Sequence, residues 1–278
     1  MTAKKYASKV KESFALPEVC VSIRNMLDNP QTDADDIAAL ISLDPSLCSK
    51  LLKLANSALF RFPSQISSIS KAINIIGGEA LYILVMSETA ANAYQHFAND
   101  VVDLKRFWKQ SVLCGVMAQN LCKTLKVRGS ERFFLMGLLG NFAELVIAQQ
   151  SPKIAKACES EIKEVYPWQS QKKHLGFYYT DCTAEILKNW QLPTQLYEPL
   201  HLIHSAKAAT ENKEAAVLYL AYRTALKAAM PDEMNRRNPI EGRVMDAYDL
   251  LYEDLDGVTK QTELEAREML HLLNPSLF

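Results

Sequence analysis

Apolar side chains recur at helical intervals along almost the whole chain, and no alternating apolar-polar stretch runs longer than a few residues. That pattern constrains the fold more than any other feature, because a sheet-based core has nothing to be built from. It predicts an all-α protein, a multi-helix bundle. The helix starts carry their own signals. Thr32-Asp33-Ala34-Asp35 opens a short helix with Ile37, Leu40 and Ile41 on its apolar side. At Asp44-Pro45 the aspartate can cap free backbone amides, and the proline at the first helical position forfeits no hydrogen bond. Leu47, Leu51, Leu54 and Ala58 then share a face, with Lys50 and Lys53 turned away from it. Ser68 begins a helix that Gly77-Gly78 ends, and Glu79 to about Ala93 follows as a more buried one.

The polar run Asn99–Asp103 marks a seam, giving an N-terminal helical subdomain over 1–98 and a second one over 99–278. The second begins with a long helix, Leu104 to Leu125, whose apolar side includes Trp108, Val112 and Val116. Ser130-Glu131 opens the helix carrying Gly140-Asn141, and Ser151-Pro152 opens another that runs to about Tyr166. Thr180–Trp190, Pro193–His204, Glu211–Met230 and Ile240–Leu273 complete the set, with Glu241–Leu255 as a closing helix. No internal repeat is visible.

With 31 basic and 32 acidic side chains the net charge is -1, so no global field draws the chain to nucleic acid or an anionic membrane. Lys4, Lys5, Lys9 and Lys11 read as a solvated basic arm, and Arg236-Arg237 as a polar loop. The N-terminus lacks the apolar run of a signal peptide, and no window reaches the roughly 18 apolar residues of a membrane span. These features predict a cytoplasmic protein with no membrane and no DNA or RNA partner. The six cysteines are scattered without a C-x-x-C pair and read as reduced and buried. Phosphate-binding glycine loops, nucleophile elbows and H-E-x-x-H are all missing.

A family resemblance emerges from particular residues. Leu16-Pro17, Ile41-Ser42-Leu43-Asp44-Pro45-Ser46-Leu47 and Lys50-Leu51-Leu52-Lys53-Leu54-Ala55-Asn56-Ser57-Ala58 come first. Phe60, Ile66-Ser67-Ser68-Ile69 and Ala72–Gly77 follow, and then Phe107-Trp108, Ser111, Gly137-Leu138-Leu139 and Trp190-x-Leu192-Pro193. Over roughly 14 to 225 the chain resembles the HDOD family, bacterial signalling domains related to metal-dependent HD phosphohydrolases. The resemblance implies an HD-like helical fold and a role in signal transduction. With no receiver, cyclase or kinase region attached to these 278 residues, input is expected from a separate molecule.

HD hydrolysis requires His imidazoles and Asp carboxylates around one or two metal ions that activate water. Where the resemblance places those ligands, this chain has Gln110, the pair Gly140-Asn141, Thr180 and Ile203, with Tyr222 where an Asp is expected. Only His204 survives. Glycine offers no ligand atom, and neutral amide oxygens bind Zn or Mn weakly. No metal, no cofactor and no catalytic residue is therefore expected. The competing reading is a phosphohydrolase with a displaced ligand set built on His201 and His204. Asp44, Pro45, Asn56, Ser57, Phe60, Arg61, Trp108 and Trp190 are the family-motif residues. Of these, Asn56 and Ser57 read either as a local hydrogen-bond network or, with Arg61 and the aromatic pair Phe60 and Phe62, as a recognition surface. The expected function is a non-catalytic scaffold that binds a signalling protein or, as a second class, a nucleotide in the remnant cleft.

Overall fold

The computed structural model of the protein describes residues 1–60, 65–234 and 237–278. Among the described residues every regular element is a helix. By internal contacts the chain forms two compact units. One contains Leu16–Ala93 and Arg267–Phe278, the other Met1–Ala15 and Tyr94–Ala266. No single cut at Asn99 separates them, because the first fifteen residues join the larger unit.

The chain opens with α1 (Ala3–Ser13), where a solvated arm was expected. Tyr6, Ala7 and Val10 are fully buried. Their i, i+1, i+4 spacing forms a short apolar stripe, which the flanking lysines obscured. Tyr6 donates from its hydroxyl to Ser151 Oγ at 2.8 Å.

The smaller unit begins with α2 (Glu18–Asp28) and α3 (Ala34–Ser42). Asp33 accepts from the amides of Asp35 and Asp36, and Asp36 reaches back to the Asp33 amide, closing a capping box. In α4 (Pro45–Ala55), Asp44 caps Ser46 and Leu47 at 2.9 and 3.0 Å, with Pro45 in the first turn. In α5 (Ile69–Ile76), Ser68 is the cap, and Gly77 ends the helix at φ 85°, where a side chain would be strained. Within α6 (Gly78–His96), Glu88 is buried and ion-paired to Lys50.

The larger unit is organised by α7 (Leu104–Leu125), capped by Asp103. It crosses α8 (Ser130–Leu139) at two facing glycines. A Cβ on Gly137 would lie 2.6 Å from the Cys114 carbonyl oxygen, and one on Gly115 would lie 2.7 Å from that of Phe134. The backbones therefore touch. The expected continuous helix through Gly140-Asn141 is instead broken. Phe142 and Glu144 donate to the carbonyls of Leu139 and Asn141, a tight turn before α9 (Ala143–Gln150). Next come α10 (Pro152–Ser160) and α11 (Pro167–Leu175). The predicted helix to Tyr166 stops early, and α11 was not anticipated. Pro167 starts a helix here instead of ending one.

After α12 (Tyr179–Asn189), the 193–204 segment splits into α13 (Thr194–Tyr197) and a 3-10 turn over Glu198–Leu202. The Glu211–Met230 helix likewise divides into α14 (Ala206–Glu211) and α15 (Lys213–Ala229), because Asn212 caps the latter. The short α16 (Pro231–Met234) and α17 (Gly242–Asp246) precede α18 (Tyr252–Leu273). The closing helix expected over 241–255 is interrupted where Asp249 takes φ 52°. Its successor is tied to α7 by a buried network, in which Asn120 donates to Glu265 at 2.7 Å and Thr262 at 3.2 Å.

Candidate functional site

The turn between α8 and α9 sets the geometry of a cleft at positions where the family resemblance puts metal ligands. It brings Asn141 against Tyr222 of α15, whose hydroxyl lies 3.5 Å from Asn141 Oδ1. Gln110 of α7 lines the same narrow cleft, as do Glu144, Glu159 and Gln171. The cleft has a volume of about 30 Å³, room for a water molecule or so. Gly140 and Ile203 contribute no polar atom. A Cβ at position 140 would meet the local Met136 carbonyl oxygen at 2.9 Å and Ile203 Cδ1 at an ordinary contact distance of 3.7 Å. Thr180 is buried, and its hydroxyl has no hydrogen-bond partner among the described residues.

A guanidinium provides the positive charge here. Arg106, in the first turn of α7, reaches Glu144 of α9 at 2.6 Å and is ion-paired with Glu159 of α10. Asn141 Nδ2 donates to Glu144 as well. Burial pushes the Glu144 carboxyl up to about 7, against the pull of Arg106. Burial would depress the Arg106 guanidinium, but the charges of Glu144 and Glu159 outweigh it and raise its pKa. The donor set does not fit a catalytic metal. Two neutral amides, a phenol and a carboxylate already engaged by arginine replace the imidazoles and free carboxylates that such an ion needs. Among the described residues no group of three or more His, Cys, Asp or Glu side chains is arranged to hold a metal ion.

The two histidines of the displaced-ligand reading do not converge. His204 sits in an aromatic box, 4.6 Å from Tyr178, 4.9 Å from Tyr222 and 5.4 Å from Trp168 between ring centroids. Neither of its ring nitrogens has a partner among the described residues. Burial, with Arg223 nearby, holds its pKa well below the usual imidazole value. His201 instead pairs with Asp181 at 2.9 Å, which raises its pKa.

The family-motif residues are placed elsewhere. Asp44 and Pro45 form the start of α4. Asn56 ends α4 and clasps the following turn, donating to the carbonyls of Leu52 and Ile66 and accepting from the Ile66 amide, each at 2.8 Å. Ser57 is buried with no partner for its hydroxyl among the described residues. Phe60 is half-buried, while Arg61, Phe62 and Arg236 lie outside the described residues. Trp108 and Trp190 belong to an aromatic core. Trp108 stands edge-on to Tyr94 at 4.9 Å, and Trp190 lies 5.7 Å from both Phe14 and Phe142.

Arg106, Glu159, Gln171 and Glu144 are not among the residues singled out from the sequence. Glu144 did leave a signal, as the one charge in the apolar run Phe142–Ala148. The others carried none, since their partners lie 38 to 53 residues away or on a helix that was not foreseen.

Known proteins share this architecture. A Treponema pallidum protein of uncharacterised function is 26% identical over 224 residues, 78% of this chain and 42% of that protein. The chain thus spans less than half of that relative's length. A Shewanella amazonensis protein named as a candidate phosphohydrolase superposes with a TM-score of 0.71 at 22% identity, covering 96% of this chain and 97% of that one. An HDOD domain protein of unknown function from Geobacter sulfurreducens gives 0.66 at 17% identity, with 99% and 98% covered. Identities this low show the fold alone. The HDOD domain model, however, matches residues 14–206, more than half of the sequence, and the chain belongs to the HDOD family.

Proposed function

We propose that this chain is a non-catalytic bacterial signal-transduction module of the HDOD type that works by binding a protein partner. The observation that carries the reading is the Arg106–Glu144–Glu159 cluster in the remnant cleft. A cation from the chain itself engages the carboxylates there, and Gln110, Asn141 and Tyr222 fill positions where the family resemblance puts metal ligands. A nucleotide in this cleft finds less support. Ligand pockets of that kind occupy roughly 300–1,000 Å³, ten times or more the space present.

The test combines metal quantification with turnover. Purified chain is expected to carry Zn, Mn and Fe far below stoichiometry, and to hydrolyse neither bis(p-nitrophenyl) phosphate nor cyclic dinucleotides. A protein captured from the native lysate is expected to re-form a complex of fixed stoichiometry when both components are pure. Stoichiometric metal and phosphodiesterase activity, both lost in His204→Ala, would overturn the proposal. So would a concentration-dependent rise in Tm with a cyclic dinucleotide and no reconstituted complex.

A further inference from the structure

A second cleft lies wholly within the larger unit, between α15 and α18, with Asn238–Ile240 along its edge. Its volume of about 470 Å³ falls in the range of small-molecule sites, unlike the remnant cleft. One wall carries Arg223, 2% exposed. Its guanidinium lies between Tyr219, 3.4 Å from the ring centroid, and Trp168 at 4.5 Å. Its Nε donates to the Pro239 carbonyl at 3.0 Å, and Nη1 to those of Ile203 and Tyr219 at 2.9 and 3.3 Å. Arg223 forms no direct ion pair among the described residues, though the Glu241 carboxylate acts on it through space and the Tyr219 side chain lies against it. A buried arginine with no directly bonded carboxylate is costly, and carbonyl dipoles with a more distant charge compensate it only in part.

Other groups in the cleft point to what could complete it. Lys227, one turn along α15, is exposed on the same wall. Next to Arg223, Thr224 is 8% exposed with its hydroxyl unpartnered among the described residues. The α18 wall presents Asp256 and Glu263, which form no ion pair with either cation. Cations on one wall therefore face carboxylates on the other without meeting them. A polyanion would be repelled by the acidic wall, and a purely apolar ligand would strip water from four charges without replacing it. A molecule bearing one charge of each sign satisfies both walls.

We infer that this cleft binds a small zwitterion, its carboxylate held by Arg223 and Lys227 and its cationic group by Asp256 and Glu263. Such a site would let the module respond to an amino acid or a short peptide, and it does not depend on the remnant cleft or on the protein partner.

Isothermal titration of the full chain tests this with the twenty free amino acids and a set of dipeptides, using inorganic phosphate and citrate as anion-only controls. At least one zwitterion is expected to bind with one-to-one stoichiometry while the controls do not. Because Arg223 is buried and its replacement could unfold the chain, the diagnostic variants are the exposed Lys227→Ala and Glu263→Gln. Each should keep the parent circular dichroism and Tm while weakening binding about tenfold, as expected for a lost charge-assisted hydrogen bond. Three results would each overturn the inference: no binding by any zwitterion, equal or tighter binding of phosphate or citrate, or affinity unchanged in both folded variants.

Discussion

Arg106 joins two carboxylates from different helices, and Glu144 lies between it and Asn141. Burial lifts that carboxyl to about 7, above its ordinary value near 4.5. Between those two pH values the folded chain keeps a proton that the unfolded chain releases. Stability therefore falls as pH rises through the window, by on the order of 3 kcal/mol if the whole shift is expressed. Glu144→Gln removes the titrating group. Urea unfolding at pH 5 and pH 8 should show wild-type stability dropping relative to this variant as pH rises. Parallel profiles across that range would refute the assignment.

At the scale of elements, the crossing of α7 and α8 depends on glycine. The built Cβ of Gly137 lies 2.7 Å from Gly115 Cα as well as against the Cys114 carbonyl, so both close atoms are backbone and cannot rotate away. Gly137→Ala should cost about 3 kcal/mol, the upper part of the range for overpacking. Gly257, in α18, has nothing within 4 Å of its built Cβ. Gly257→Ala should stabilise by roughly 0.5–1 kcal/mol through helix propensity alone. Opposite signs in denaturant unfolding are the expected outcome, and a Gly137→Ala chain as stable as the parent would show that backbone contact is not what requires Gly137.

For the molecule as a whole, the chain's order does not follow its compact units. Residues 1–15 belong with 94–266, and 267–278 with 16–93. Residues 1–15 and 267–278 are thus each part of a packed unit. Removing residues 1–13 would strip away the buried Tyr6 and Val10 together with the Tyr6–Ser151 hydrogen bond. The loss should be about 4 kcal/mol from apolar burial, read as a large drop in the urea midpoint. An unchanged midpoint would mean that α1 is dispensable.

The sequence by itself determined the helices whose signals are local. Asp33, Asp44 and Ser68 each cap the helix that their position announced, because capping involves only the next two or three amides. It also carried the motifs of the HDOD family. Breaks inside long apolar runs were hidden, since Asn141, Asn212 and Asp249 interrupt helices whose hydrophobic period continues past them. Only the tertiary structure decided that Arg106 meets Glu144 and Glu159, that His204 is enclosed by aromatic rings while His201 turns to Asp181, and that Arg223 lines a cleft without a direct ion pair among the described residues. The reason is physical: a cap is fixed by neighbours in the chain, whereas the charge state and partners of a buried side chain depend on which distant helices are packed against it.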